Sequence, residues 1–453
     1  MSALWRSGRP AGGLARGGVA GEALAGGGAA GPPGEPWAGW WRILILGTGY
    51  LGIQVVWTLY NAYLPNLYGQ YLASNFLIGV IMTLDNIAAA TVQPYFGALS
   101  DRVATPLGRR MPFLYIGVPV TALGLWLIPR ETGLGSLLLA TVLMNVGISI
   151  YSSPATALMP DVTPPEKRAR ANGIVLLMGG VGAMLAIFVL SPSFDRARTL
   201  PFDQAAVVVL ASLALVALAI PERRLARYAG IEGDEPAGAA GSSDALAQRG
   251  HLLVALKAVA RAPDRRAFWL LLAALAWVAA VNGAQNMFTR FGTEALGLSQ
   301  VEATYMLGYF AGPFILLSIP AGVLGDRIGR LRATRIGSTG ILAAFLALAA
   351  NPPAALLPGL FGFAGVCWAL LMTNSYPILV NLAPPGTLGT YTGLWNLAIA
   401  VAGLISPPVY GALVDELGWG AFFPVGVAFL ALGTWCLLRV RSGEAGTPAG
   451  HGG

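Results

Sequence analysis

Of the 21 acidic residues, only Asp85, in the run Thr83-Leu84-Asp85-Asn86, falls near the middle of an apolar stretch. A carboxylate at such depth costs several kcal/mol, on the order of 2.5–3.5 on insertion scales, unless it is neutralised, paired or hydrated. That suits a group that loads and releases a proton; the plainer alternative is a structural acid held by Asn86. Gln54, Trp57 and Asn61 recur at i, i+3 and i+7, and so share one helical stripe. Asn282, Gln285 and Asn286 form a second stripe, with Arg290 two turns beyond Asn282. Neutral amides both donate to and accept from hydroxyls, and an aromatic face covers the C–H surface of a ring, so the stripes suit an uncharged polyhydroxylated ligand. The competing reading of each amide alone is glue between helices in a bilayer. Asn145, Asn374 and Asn396 are further amide candidates of the same kind.

A different chemistry occupies two turns. Gly97 to Arg110 reads GALSDRVATPLGRR and Gly322 to Arg330 reads GVLGDRIGR, with Asp101-Arg102 and Asp326-Arg327 in register 225 positions apart. Gly97 and Gly322 let helix ends approach closely, and Asp101 and Asp326 can pair with the positive start of a neighbouring helix. The basic side chains Arg102, Arg109, Arg110, Arg327 and Arg330, around Gly108 and Gly329, stay in the interfacial layer. These turns read as gating machinery that latches and releases helix ends. No metal or thiol chemistry accompanies them: Cys367 and Cys436 both lie in apolar runs, and His251 and His451 fall in a linker and a tail. Neither a hydrolytic triad nor a nucleotide-binding loop occurs, so no enzymatic step, metal site or cofactor is expected.

The elements that must position these residues are apolar and long. The chain is 55% hydrophobic and 11% charged, with a mean hydropathy of +0.65, which is far from a soluble domain. Continuous apolar runs cover about 41–64, 75–99, 112–129, 134–160, 168–190, 204–220, 267–290, 301–325, 333–351, 354–382, 388–413 and 417–438. Each is near the roughly 20 residues that cross hydrocarbon as a helix, so an all-α membrane protein of twelve spans is expected. A strand barrel would alternate instead. The net charge of +7 carries no basic helix interleaved with aromatics, so nucleic acid is not an expected partner; the lipid bilayer is.

Of the 28 Lys and Arg residues, all but Arg130, Arg196, Arg198 and Arg290 fall on one side if the N-terminus is cytosolic. That asymmetry predicts both ends inside. Residues 1–38 and 439–453 are Gly-rich and read as disordered cytosolic tails, the first without the apolar region of a signal peptide. Residues 221–266 read as a cytosolic linker, flexible over Gly230–Ser243, with a candidate interfacial helix over His251–Trp269. The linker separates two six-helix halves, 39–220 and 267–438. Pro164-Pro165 followed by Gly173 is echoed by Pro384-Pro385 followed by Gly393, and Pro154 by Pro377 late in spans four and ten.

Two such halves, each with an Asp-Arg turn between its second and third spans, resemble the major facilitator superfamily, whose substrate site lies at mid-membrane between the halves. A narrower resemblance is carried by Gln93-Pro94-x-x-Gly97-x-x-Ser100-Asp101-Arg102, five residues, then Gly108-Arg109-Arg110-x-Pro112-Phe113. With Gly52-Ile53-Gln54-Val55-Val56-Trp57 and the run from Thr392 to Ile399, continuing to Asp415-Glu416, it is similar to plant sucrose transporters and related glycoside:cation symporters over about 41–438. The resemblance implies proton-coupled symport of a neutral di- or oligosaccharide, such as an α-glucoside, by a monomer in the plasma membrane. The acids that family uses fall here on Asn145, Ala284 and Asn286, although Arg290 is kept, which leaves Asp85 as the candidate coupling group. Export of small amphipathic compounds or sugars, and a non-transporting sensor, are the alternatives.

Overall fold

The computed structural model describes residues 40–103, 105–223, 225, 255–257, 259–261, 264–384 and 386–440. The expectations for both tails and for most of the 221–266 linker lie outside those residues. Twelve helices long and apolar enough to cross a membrane form the body. They are span 1 (Trp41–Gly69), span 2 (Asn75–Arg102), span 3 (Met111–Arg130), span 4 (Leu134–Val162), span 5 (Arg168–Asp195) and span 6 (Leu200–Ala219). The second series is span 7 (Arg266–Glu294), span 8 (Gln300–Ile328), span 9 (Arg330–Ala349), span 10 (Ala354–Asn381), span 11 (Leu388–Leu417) and span 12 (Trp419–Arg439). Among the described residues the one extended pairing is an isolated Thr105–Gly108 bridge.

Within each series the same neighbours recur. Span 3 packs on 4, 2 on 4, 1 on 5, 1 on 6 and 3 on 6; correspondingly 9 packs on 10, 8 on 10, 7 on 11, 7 on 12 and 9 on 12. The internal repeat is thus expressed in packing, although both halves belong to one compact unit beginning at Gly39. Small residues set these contacts. A Cβ at Gly124 would stand 2.6 Å from the Met144 backbone, and one at Gly337 2.7 Å from that of Cys367.

The sequence-based boundaries differ from the structure in two informative places. Span 9 begins at Arg330 rather than 333, because Arg330 and Arg332 sit at a helix end where long basic side chains reach the interface. Span 2 is not one helix: Asn75–Met82 and Leu84–Arg102 meet at Thr83, whose hydroxyl donates to Val80 O at 2.7 Å. Span 5 is also irregular, passing through a π-turn over Leu185–Leu190 before a 3₁₀ turn over Ser191–Asp195.

Candidate functional site

The break in span 2 places Asp85 in the first turn of its inner piece. Its carboxylate accepts from the Asn86 backbone N–H at 2.6 Å and from Asn86 Nδ2 at 2.9 Å, and no cation pairs with it among the described residues. Asn86 Nδ2 also reaches Gly403 O of span 11 at 3.5 Å, which ties this segment to the opposite half. Asp85 and Asn145 both face the hydroxyl of Tyr60. That hydroxyl is buried and completes no hydrogen bond, and Asn145 Oδ1 and Ser149 Oγ are equally unmet. Buried polar atoms normally find partners, and Tyr60 and Asn145, which lie close to each other, keep hydrogen-bonding capacity to spare.

Gln54, Trp57 and Asn61 are half-buried on span 1, respectively about two turns before, one turn before and next to Tyr60. Trp57 packs edge-on against the Tyr60 ring at 5.6 Å. The structure therefore brings the span-1 stripe, Asn145 and Asp85 into one half-molecule. In the other half Asn286 Nδ2 donates to Asn282 O at 2.9 Å and to Asn282 Oδ1 at 3.1 Å, and Ser406 Oγ of span 11 donates to the same Oδ1 at 3.3 Å. Gln285, half-buried, lines a small apolar cavity with Phe288 of span 7 and Phe361 of span 10. Asn374 is apart from both groups: its amide donates to Ala321 O and Leu370 O, bracing span 10 on span 8. Asn396 is exposed on span 11. Arg290 is not at the centre at all but at the end of the molecule opposite the Asp-Arg turns.

That far end is closed by contacts between the halves. Arg290 Nε donates to Asn75 Oδ1 at 2.6 Å, and Arg290 pairs with Glu294 at 2.9 Å. Gly69 leaves the space that the Arg290 guanidinium fills, since a Cβ there would stand 1.2 Å from Nη1. Asn66 Nδ2 donates to Gln300 Oε1 at 2.5 Å, and Gln300 Nε2 to Ala62 O at 2.8 Å. Asp415, at the end of span 11, accepts from Ser74 Oγ, the Asn75 and Phe76 backbone N–H groups and Asn75 Nδ2 at 2.8–2.9 Å. It thereby caps the outer piece of span 2, where unpaired N–H groups and the helix dipole favour an anion. A shallow pocket of about 320 Å³ lies over this closure, lined by Tyr63, Asn66, Gln70, Arg290, Glu294 and Gln300.

At the Asp-Arg end the ion pairs of Arg109, Arg110 and Arg330 stay within one half. Arg110 pairs with Asp101 at 2.5 Å and with Asp161 at 2.8 Å, donates to Ser100 Oγ, and leaves Asp161 to meet Arg109 at 3.4 Å. Glu222, just past span 6, accepts from the backbone N–H groups of Arg109, Arg110 and Met111 at 2.7–3.0 Å, so it caps span 3. Gly108 (φ +118°) makes this possible, because a Cβ would stand 2.1 Å from Glu222 Oε2. The second copy is simpler: Asp326 pairs with Arg330 at 2.9 Å, beside Gly329 with φ +95°. Gly97 lets span 2 pack on Ser153 and Gly322 lets span 8 approach Thr373. Asp101, Arg102, Asp326 and Arg327 all belong to helix ends rather than to the turns that follow.

Sequence reading missed Tyr60, Ser149, Asp161, Glu222, Asn66, Asn75 and Gln300. Asp161 and Glu222 carried a signal, each being an acid at a span end on the same side as Arg109 and Arg110. Among the described residues no group of three or more His, Cys, Asp or Glu could hold a metal ion.

A family model for the Major Facilitator Superfamily matches residues 46–315 and 293–453. The chain belongs to the major facilitator superfamily. It is therefore an integral, multi-pass membrane protein of a transporter fold, and it is similar to several transporters. It is 27% identical over 434 residues to the bacteriochlorophyll synthase 44.5 kDa chain of Rhodobacter capsulatus, spanning 89% of this chain and 94% of that one. Two shorter matches are the multidrug efflux pump LfrA of Mycolicibacterium smegmatis (28% identity; 38% of this chain, 34% of the pump) and the proton-associated sugar transporter A of Mus musculus (28% identity; 33% of this chain, 22% of that protein). Among solved structures, a peptide transporter POT in complex with sulfate superposes with a TM-score of 0.67 at 16% identity, covering 89% of this chain and 96% of that one. At that identity the likeness concerns the fold.

Proposed function

We propose that this major facilitator superfamily member is a secondary transporter that moves a neutral di- or oligosaccharide, such as an α-glucoside, by proton-coupled symport. It would lie in the cytoplasmic membrane with both termini inside and work as a monomer, without a cofactor, metal or nucleic acid. The observation that carries this reading is the neutral hydrogen-bonding capacity of Tyr60 and Asn145, with Ser149 one turn along span 4, in the half that holds Asp85. A sugar supplies hydroxyls that donate and accept, matching uncharged amides and hydroxyls where a charged substrate would leave its charge unpaired. Asp85 supplies the proton site, and the contacts that join the halves at the far end correspond to an inward-facing state in alternating access. The local similarity to a proton-associated sugar transporter supports the same substrate class.

Counterflow in proteoliposomes with a panel of labelled sugars tests the substrate, since exchange needs no coupling. Asp85→Asn should keep counterflow and lose accumulation driven by a pH gradient. Gradient-driven uptake unchanged in that variant would remove Asp85 from the coupling step. The similarity to a multidrug efflux pump favours a second reading, export of amphipathic compounds; it is distinguished by the absence of exchange with every sugar tested.

A further inference from the structure

Away from the central cluster, spans 7, 9 and 12 converge at the Asp-Arg end with a pair of uncompensated cations. Arg335 of span 9 donates through Nη2 to Val440 O at 2.9 Å, the residue that follows the end of span 12. Its Nε is buried without a partner. Arg439, one residue earlier, stacks over Trp435 at 4.7 Å and over Trp269 of span 7 at 6.0 Å, and the two indoles meet edge to face at 5.4 Å. Neither guanidinium has a carboxylate partner among the described residues. Two described acids at this end of the same half have other partners, Asp264 meeting Arg266 at 2.6 Å and Asp326 meeting Arg330. Exposed Arg265 and Arg332 add further positive charge at the same helix ends.

A buried guanidinium N–H with no acceptor is costly, and a guanidinium matches phosphate oxygens in a fork. We infer that this three-span corner is a binding site for the headgroup of an anionic phospholipid. Its rim points to lipid rather than to a soluble phosphate: Trp435, Leu432 and Leu438 are exposed along span 12, giving acyl chains an apolar path below the cations. Tryptophans at that depth anchor the interface, and basic pockets between span ends recognise acidic headgroups. The phosphate would accept from the exposed edge of Arg439, with the charge of the half-buried Arg335 guanidinium behind it. The inference stands whatever solute is carried.

Native mass spectrometry of the purified protein, titrated with phosphatidylglycerol and with phosphatidylcholine of identical chains, tests it. The wild type should retain phosphatidylglycerol under conditions that strip phosphatidylcholine. Arg335→Gln and Arg439→Gln should each reduce that retention about tenfold, whereas Arg170→Gln, an exposed cation at the same end of the other half, should not. If Arg335→Gln does not yield monodisperse protein, Arg439→Gln carries the comparison, because its head group is exposed. Equal retention of the two lipids, or equal loss in Arg170→Gln, overturns the proposal. Displacement of bound lipid by millimolar glycerol phosphate would make the site one for soluble phosphate instead, and would overturn it too.

Discussion

Tyr60 and Glu222 show two opposite ways in which a buried polar group is treated. The Tyr60 hydroxyl has none of its hydrogen bonds completed, while the Glu222 carboxylate accepts from three consecutive N–H groups. Removing the first should leave stability unchanged and alter transport; removing the second should do the reverse. Tyr60→Phe is expected to keep the thermal midpoint of wild type and to raise KM for the carried solute, and an unchanged KM would assign the hydroxyl to packing. Glu222→Gln turns one acceptor into a donor facing N–H groups, a loss of about 1–3 kcal/mol. It should lower the thermal midpoint in detergent, and Gly108→Ala should do so as well through its positive φ and the contact with Glu222.

Span 2 is where element-level behaviour concentrates. Its outer piece is pressed on span 11 at two glycines, since a Cβ at Gly79 would stand 2.4 Å from Pro407 O and one at Gly411 2.2 Å from Asn75 O. Backbone atoms cannot give way as a flexible side chain would. Its inner piece packs instead on span 4 and scarcely touches span 11. Span 2 is thus pressed on span 11 along its outer piece and touches it less along its inner piece, where Asn86 reaches Gly403 O, with Thr83 between. Asp415→Asn keeps the shape of the cap but removes its charge, which we expect to shift the closed-to-open ratio of the far end by about 5- to 30-fold, the equivalent of about 1–2 kcal/mol. Labelling of Asn61→Cys from the far side by an impermeant maleimide reads this directly, since Cys367 and Cys436 are both buried. A labelling rate equal in the two backgrounds would show that Asp415 does not hold the gate.

For the whole molecule, twelve spans in two similarly packed series were legible because hydropathy and the repeated Asp-Arg turns depend on local sequence alone. The central stripes were legible in part. Helical spacing put Gln54, Trp57 and Asn61 together, and Asn282 with Asn286, but it could not show that Arg290 lies at the far end in an interhalf contact or that Asn374 is spent on backbone carbonyls. Those facts depend on which distant residue arrives opposite, and spacing along one helix is silent about partners such as Asn75 or Ala321. The same long-range contacts allow a test of rocking. Asn66→Cys with Gln300→Cys places two thiols where a 2.5 Å hydrogen bond now joins the halves. Oxidation should abolish net uptake and reduction restore it; uptake that persists in the cross-linked protein would exclude opening at that end.

Glu222 has one more implication. It comes after span 6 yet completes the start of span 3, so the first six helices carry the residue that closes their own circuit. Nothing from the second series is needed to finish that cap. A gene divided between residues 230 and 231 should therefore yield two polypeptides that, co-expressed, find each other and restore transport, whereas a division before Pro221 should leave the first fragment prone to degradation. The seam of this carrier lies just beyond its sixth helix, and the protein could be assembled from two separately made parts.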